Sequence, residues 1–225
     1  MISLQQYYAE VKETSGRLEG LALDIDDTLC ATSLDLAEIV LKTFGNPEGL
    51  TAQELIEKYG HFKNVPYFGE KIQKWIDKKI IDTFSNESLP AIENAAESIA
   101  QITKVVPISC YITGRPPSVK RETIGWLDKH DFPKKPINFQ PEARLLRSWG
   151  IKDGCQWKAR LLEYLYPQVE GIIDDNPDLI RYIKKNYPGR IYLLSSEKIQ
   201  DNLLNLHLCR DWSCVVNQIQ NPSEL

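Results

Sequence analysis

Four continuous apolar runs stand out along the chain: Gly20 to Ile25, Val105 to Ile112, Val169 to Ile173 and Arg190 to Leu194, with a weaker fifth at Pro136 to Phe139. Each ends in polar residues and gives way to a stretch with helical spacing. Strands that are apolar throughout, rather than at alternate positions, are those covered on both faces, as in parallel sheets. The pattern therefore predicts an α/β protein, with about five parallel strands and helices on both faces. The helices carry their own boundary signals. One runs from about Pro90 to Lys104, with Ile92, Ala95, Ala96, Ile99 and Ile102 on one side. A second runs from about Ser118 to His130 and stops ahead of Pro133; a third covers Gln156 to Tyr166, with Leu161, Leu162 and Leu165 inward, and ends at Pro167. For a fourth, Asn176 is placed to cap and Pro177 to take the first helical position, with Leu179, Ile180 and Ile183 inward before Pro188 and Gly189.

About eighty residues separate the first two apolar runs, far more than a strand-to-strand crossover needs, and they read as one helix after another. Leu36, Ile39 and Val40 form a stripe that stops near Gly45. Thr51 and Glu54 make a capping box for a helix ending at Gly60, and Ile72, Trp75, Ile76 and Ile80 form a last stripe. Between these, HFKNVPYFGE reads as a loop with exposed aromatics. The expected organisation is an α/β core from residues 1–30 and 88–225, with an all-helical insertion over 31–87.

The bulk composition narrows the options. With 225 residues and 42% hydrophobic content, the chain can bury a sizeable core and one accessory lobe. A balance of 27 basic against 31 acidic residues, net −4, advertises no nucleic-acid or membrane surface. The first twenty residues have no leader pattern, and no apolar run approaches about 18 residues, so a soluble, cytoplasmic protein is expected. Five scattered cysteines without CxxC spacing and three widely separated histidines argue against a disulfide framework or a zinc site.

Chemistry concentrates at the strand ends. In LALDIDDTLC an apolar strand runs into Asp24, Asp26, Asp27 and Thr28. Two like charges 4 Å apart repel by about 4 kcal/mol at an effective dielectric of about 20, so such a cluster calls for a counterion, and a divalent cation is the obvious one. Ligands of open parallel sheets bind beyond the carboxyl ends of the strands. The second run delivers Thr113, Gly114 and Arg115 to that edge, the fourth delivers Asp174 and Asp175, and Lys158 opens the helix before it. Carboxylate pairs, a hydroxyl and a lysine are what phosphoryl transfer through a covalent aspartyl intermediate requires. Asp27 is better suited to local bonding than to catalysis, Arg115 is as well suited to an ion pair as to a phosphate, and Lys152 competes with Lys158 for its role.

On these residues the sequence resembles the haloacid dehalogenase-like superfamily, whose four motifs occur in order: DxDxT at Asp24, Asp26 and Thr28; a strand-end threonine in YITGR at Thr113; a helix-start lysine at Lys158; and paired acids in GIIDD at Asp174 and Asp175. The likeness spans about Gly20 to Leu194. It implies a Rossmann-like core whose helical insertion is a cap, and a magnesium-dependent phosphohydrolase acting on a small phosphomonoester such as a nucleotide or sugar phosphate. Asp24 would be the nucleophile and a metal ligand. Asp26 would be the general acid and base, with its backbone carbonyl on Mg2+, and Thr113, Gly114, Lys158 and Arg115 would bind phosphate. Asp175, supported by Asp174, would complete the metal site. Superfamily members in which an acid follows the metal ligand by four residues have no counterpart after Asp175, where Leu179 stands, but Asp178 follows Asp174 by four, so either member of the pair could ligate directly. Asp26 itself favours phosphate esters, since members that dehalogenate carbon substrates lack the second aspartate. DIDDTL, ITGRP and IIDDNP are similar to deoxynucleotidase-like members. The expected partner is a small phosphorylated metabolite, neither a nucleic-acid polymer nor a membrane. A phosphomutase of the same superfamily and a non-catalytic binding module with this fold are the alternatives.

Overall fold

The computed structural model of this chain describes residues 2–16, 18–60, 62–195, 203 and 205–221. Six strands form one parallel sheet: β1 (Gly20–Leu23), β2 (Ile108–Thr113), β3 (Ile137–Phe139), β4 (Val169–Asp174), β5 (Arg190–Leu194) and β6 (Leu206–Cys209). Their order is β3-β2-β1-β4-β5-β6, so the first strand lies in the middle and the chain winds away from it to either side. About five strands were expected; β6 is the addition. It is short, half-exposed and at the sheet edge, and its four residues carry no run of apolar side chains long enough to announce a strand.

Continuous apolarity has the expected cause. Alternate residues of the central strands feed two cores: Ala22, Cys110, Ile112 and Ile172 enter one, and Leu21, Leu23, Tyr111 and Ile173 the other. The first core is covered by α1 (Leu4–Thr14), α7 (Ala143–Ser148) and α8 (Gly154–Leu165), which contributes Trp157, Leu161, Leu162 and Leu165. The second is covered by α5 (Ala95–Ile102), α6 (Lys120–Lys129) and α9 (Trp212–Gln220), through Ile99, Trp126 and Val215 among others. The sheet is tight enough to demand glycine at two places. A Cβ on Gly20 would lie 1.9 Å from the Pro107 carbonyl oxygen, and one on Gly171 would lie 1.9 Å from that of Arg190.

Between β1 and β2 come α2 (Thr32–Phe44), α3 (Ala52–Tyr59) and α4 (Glu70–Phe84), which pack around a core of their own that includes Leu36, Val40, Leu55, Phe68 and Ile76. The capping box of α3 is present in full, Thr51 Oγ1 accepting from Glu54 N at 3.2 Å and Glu54 Oε2 from Thr51 N at 2.8 Å. The segment HFKNVPYFGE is less exposed than its composition suggests. Phe62, Val65 and Phe68 are buried and fill the middle of the insertion; His61 lies outside the described residues. Irregular backbone can still supply core when the flanking helices leave a gap to fill.

Two helical expectations also shift, while the helix that Trp212, Val215, Val216 and Ile219 suggest near the end of the sequence is present as α9. α5 starts at Ala95 rather than near Pro90, because Ala91 bridges to Cys30 and Asn94 takes a left-handed φ of 61°. The helix expected after Asn176 is only a 3-10 turn, Pro177–Leu179, although Leu179, Ile180 and Ile183 are buried as anticipated. Asn186 and Pro188 follow too closely for a short helix to repay its nucleation. Finally, α1 and α9 extend the fold beyond both ends of the recognisable motif region. The Ser3–Gln6 capping box starts α1, and α9 docks through Trp212, Val215, Val216 and Ile219. No helix among the described residues is long and apolar enough to cross a membrane.

Candidate active site

The loop after β1 is built by a few backbone bonds. Asp24 N still pairs with Ile173 O at 3.0 Å, so the strand continues up to the acid. Leu29 N and Cys30 N then both return to Ile25 O, at 2.8 and 2.9 Å. The reversal requires a left-handed residue, and Asp27 supplies it at φ 57°, a conformation aspartate tolerates better than most residues. As a result Asp24 and Thr28 turn toward β4, while Asp26 turns toward the end of β2.

Asp24 is buried, and the ammonium of Lys158, also buried, lies 2.9 Å from its Oδ1 and 2.7 Å from Asp174 Oδ2. Lys152, the rival in sequence, is exposed. Burial alone would favour the neutral amine, but the Asp174 and Asp24 carboxylates outweigh it and hold Lys158 protonated. Lys158 approaches Asp24 Oδ1 off the ideal hydrogen-bonding direction, so this contact acts chiefly as an ion pair. Asp174 has both oxygens engaged, Oδ2 by Lys158 and Oδ1 by the backbone N–H of Asn176 at 2.9 Å. Asp175 receives the Thr28 hydroxyl on Oδ1 at 2.9 Å. Asp24, Asp174 and Asp175 each present an oxygen within 4.8 Å of the others.

Three carboxylates thus face one ammonium. Burial, partly offset by Lys158 and reinforced by Asp174 and Asp26, pushes Asp24 up to about 7. Burial and the nearby charges of Asp27, Asp174 and Asp24 raise Asp175 well above the usual carboxylate range. The donors are hard oxygens and a single ammonium does not balance their charge; a divalent cation such as Mg2+ fits this set. Asp178, the other acid in reach by sequence, is exposed and pairs with Arg181 at 2.8 Å instead.

The Asp26 carboxylate belongs to a neighbouring group. Arg115 grips it with Nε at 3.1 and 3.0 Å from its two oxygens and with a terminal nitrogen at 2.8 Å from Oδ1, and the Thr32 hydroxyl donates to the same Oδ1 at 2.6 Å. Arg115 is completely buried, reaches Thr123 as well, and lies against the Phe84 ring. In this structure its charge is directed at Asp26. Thr113 is buried with its hydroxyl accepting from Arg115 N at 3.2 Å, and Gly114 is exposed at the rim. Asp27 accepts from the Ser33 backbone N–H at 2.7 Å and from the Ser33 hydroxyl, which ties the start of α2 to the loop. Burial pushes Asp27 up to about 6 against the pull of those donors.

Contributors not assigned to the site from sequence include Thr32, Ser33, Thr123, Phe84, Asn176 in its contact with Asp174, and Trp212, whose indole N–H donates to Thr28 O at 3.0 Å. Thr32 and Ser33 follow the acidic motif directly, and their hydroxyls at a helix start were the available signal. Nothing in the sequence connects Trp212 to the site.

No protein-family model matches the sequence, and no curated protein matches it. Solved structures do match in fold. A protein put forward as a beta-phosphoglucomutase from Thermotoga maritima is 18% identical with a TM-score of 0.50, covering 91% of this chain and 98% of that one. A dehalogenase structure with an intermediate complex is 10% identical with a TM-score of 0.53, covering 88% and 96%. The fold is therefore the one these two structures share, an α/β Rossmann-like architecture.

Proposed function

We propose that this chain is a magnesium-dependent phosphohydrolase that cleaves a small phosphomonoester through an aspartyl phosphate on Asp24. The observation that carries this reading is the setting of Asp24 at the end of the central strand, beside a buried ammonium and within a triad of close carboxylates. The fold is compatible with it, and so is the second aspartate of the DxD pair.

In the proposed reaction an oxygen of Asp24 attacks phosphorus, the bond from phosphorus to the ester oxygen breaks, and Asp26 gives that oxygen a proton. Asp26 then takes a proton from water, whose oxygen attacks the phosphoryl group and releases phosphate, restoring Asp24. To do this Asp26 exchanges part of its Arg115 contact for the substrate. Lys158 offsets charge on the transferring group, and Thr113 with the Gly114 backbone binds one of its oxygens. Mg2+ held by Asp24, Asp175 and the Asp26 carbonyl, with Asp174 in support, would neutralise charge on the phosphoryl oxygens. Asp175 is assigned the direct role because Asp174 has both oxygens committed to Lys158 and Asn176. The insertion acts as a lid over small substrates. It is fastened to the site at its entrance, where Thr32 touches Asp26, and at its exit, where Phe84 touches Arg115.

The test is release of free phosphate from p-nitrophenyl phosphate. It should require Mg2+, vanish with a chelator, and fall to background in folded Asp24→Asn. A panel of phosphomonoesters left intact by folded protein in Mg2+ would refute the reading, and an isomeric ester as product in place of free phosphate would assign a mutase.

A further inference from the structure

Trp212 reaches the site from the opposite end of the chain. It opens α9 just after Asp211, whose carboxylate caps that helix by accepting from Cys214 N at 2.8 Å. Val215, Val216 and Ile219 seat the helix in the same core as Ile25, Leu29 and Cys30 of the acidic loop. The Trp212 indole is buried, and its Nε1–H donates to the backbone carbonyl of Thr28 at 3.0 Å. Thr28 is completely buried too, and its hydroxyl is the one that donates to Asp175 Oδ1 at 2.9 Å. A single residue is thus held at both ends, its carbonyl by the C-terminal helix and its hydroxyl on an acid of the fourth strand.

A buried indole N–H needs an acceptor, and two other tryptophans satisfy theirs away from the acids: Trp126 on Leu89 O at 2.8 Å and Trp149 on Ile2 O at 3.0 Å. Trp212 spends its donor inside a loop that turns on a left-handed Asp27. The peptide after Thr28 is held at both ends, its N–H on Ile25 O at 2.8 Å and its carbonyl on the indole, so losing the indole bond leaves one anchor and loosens the backbone that carries the hydroxyl. We infer that Trp212 is a positioning residue: acting through Thr28, it holds the Asp175 carboxylate in the orientation that faces Asp24. The inference rests on the proposed metal site, which gives that orientation its value, and it makes α9 a working part of the site.

Mg2+ binding, followed by calorimetry, separates the two. Wild-type protein should bind the ion. Trp212→Phe, which keeps the ring and loses the donor, should bind it about tenfold more weakly, the low end of the range for groups that orient metal ligands from outside. Trp149→Phe should bind as wild type. Val216→Ala, which loosens the seat of α9 but leaves the indole bond, should lose stability without a matching loss of affinity. A second readout needs no variant: the Trp212 indole N–H signal, in 15N-labelled wild-type protein, should shift and exchange more slowly as Mg2+ is added, while that of Trp126 stays put. Unchanged affinity in Trp212→Phe, or a Trp212 signal indifferent to Mg2+ in protein that binds it, would overturn the inference and leave the metal site standing. Failure of wild-type protein to bind Mg2+ would overturn both.

Discussion

Asp24 and Asp26 are two residues apart and meet opposite surroundings. On a straight strand they would share a side, but β1 gives way to the loop immediately after Asp24, so one acid faces Lys158 and β4 while the other is clamped by Arg115. The difference sets a pH dependence. The proton on Asp24 is held in the folded chain up to about 7, against about 3.8 for an ordinary aspartate, so between these values the native state binds more protons than the unfolded one. Its contribution to stability is complete below the lower value and lost as pH rises through the higher. A cation replaces that proton, so the gap in melting temperature with and without Mg2+ should widen from pH 5 to pH 8 in thermal melts; a gap that narrows over this range would contradict the charge balance described. At this scale the sequence revealed the acids, because like charges gathered at a strand end are hard to read otherwise. It did not reveal their partners, since the Asp26–Arg115 pair and the Thr28–Asp175 bond join segments that only the folded sheet brings together.

Among the secondary-structure elements, local chemistry was legible where it is self-contained. The Thr51–Glu54 box marks the start of α3 in sequence and does so in the structure. The same signature at Ser3 and Gln6 starts α1, a helix that buries Tyr8 and Val11 and so has too short an apolar stripe to announce itself by spacing. β6 escaped because its register comes from β5, against which His207 stacks on Tyr192 with ring centres 4.8 Å apart. Removing a cap should act on one element only. Thr51→Ala should cost about 1 kcal/mol, seen as faster amide exchange over residues 52–59 with the sheet unaffected; equal acceleration in β1 and β4 would mean that insertion and core unfold as one unit.

For the molecule as a whole, the parallel sheet decides which distant residues become neighbours. β1 pairs with β2 through Leu21 and Ile108 and with β4 through Gly20 and Val169, and this brings residue 24 beside residues 174 and 175. The approach of β4 to β5 leaves no room for a side chain at Gly171, so Gly171→Ala should destabilise the whole domain by about 3 kcal/mol or more, as a lower urea midpoint with an unchanged slope. A near-normal midpoint would show that the sheet can spread there.

The position of β1 has a consequence for how the chain comes into being. The earliest of the described strands occupies the centre, yet one of its neighbours is made much later, after the whole insertion and two further helix–strand units have been translated. Until residues near 170 emerge, the middle of the future sheet has an unpaired flank, and the acids that face one another in the finished protein exist only in part. Contacts so remote in sequence slow folding and leave an open edge to other chains in the meantime. Chaperone demand during synthesis should therefore peak late, just before the fourth strand closes onto the first.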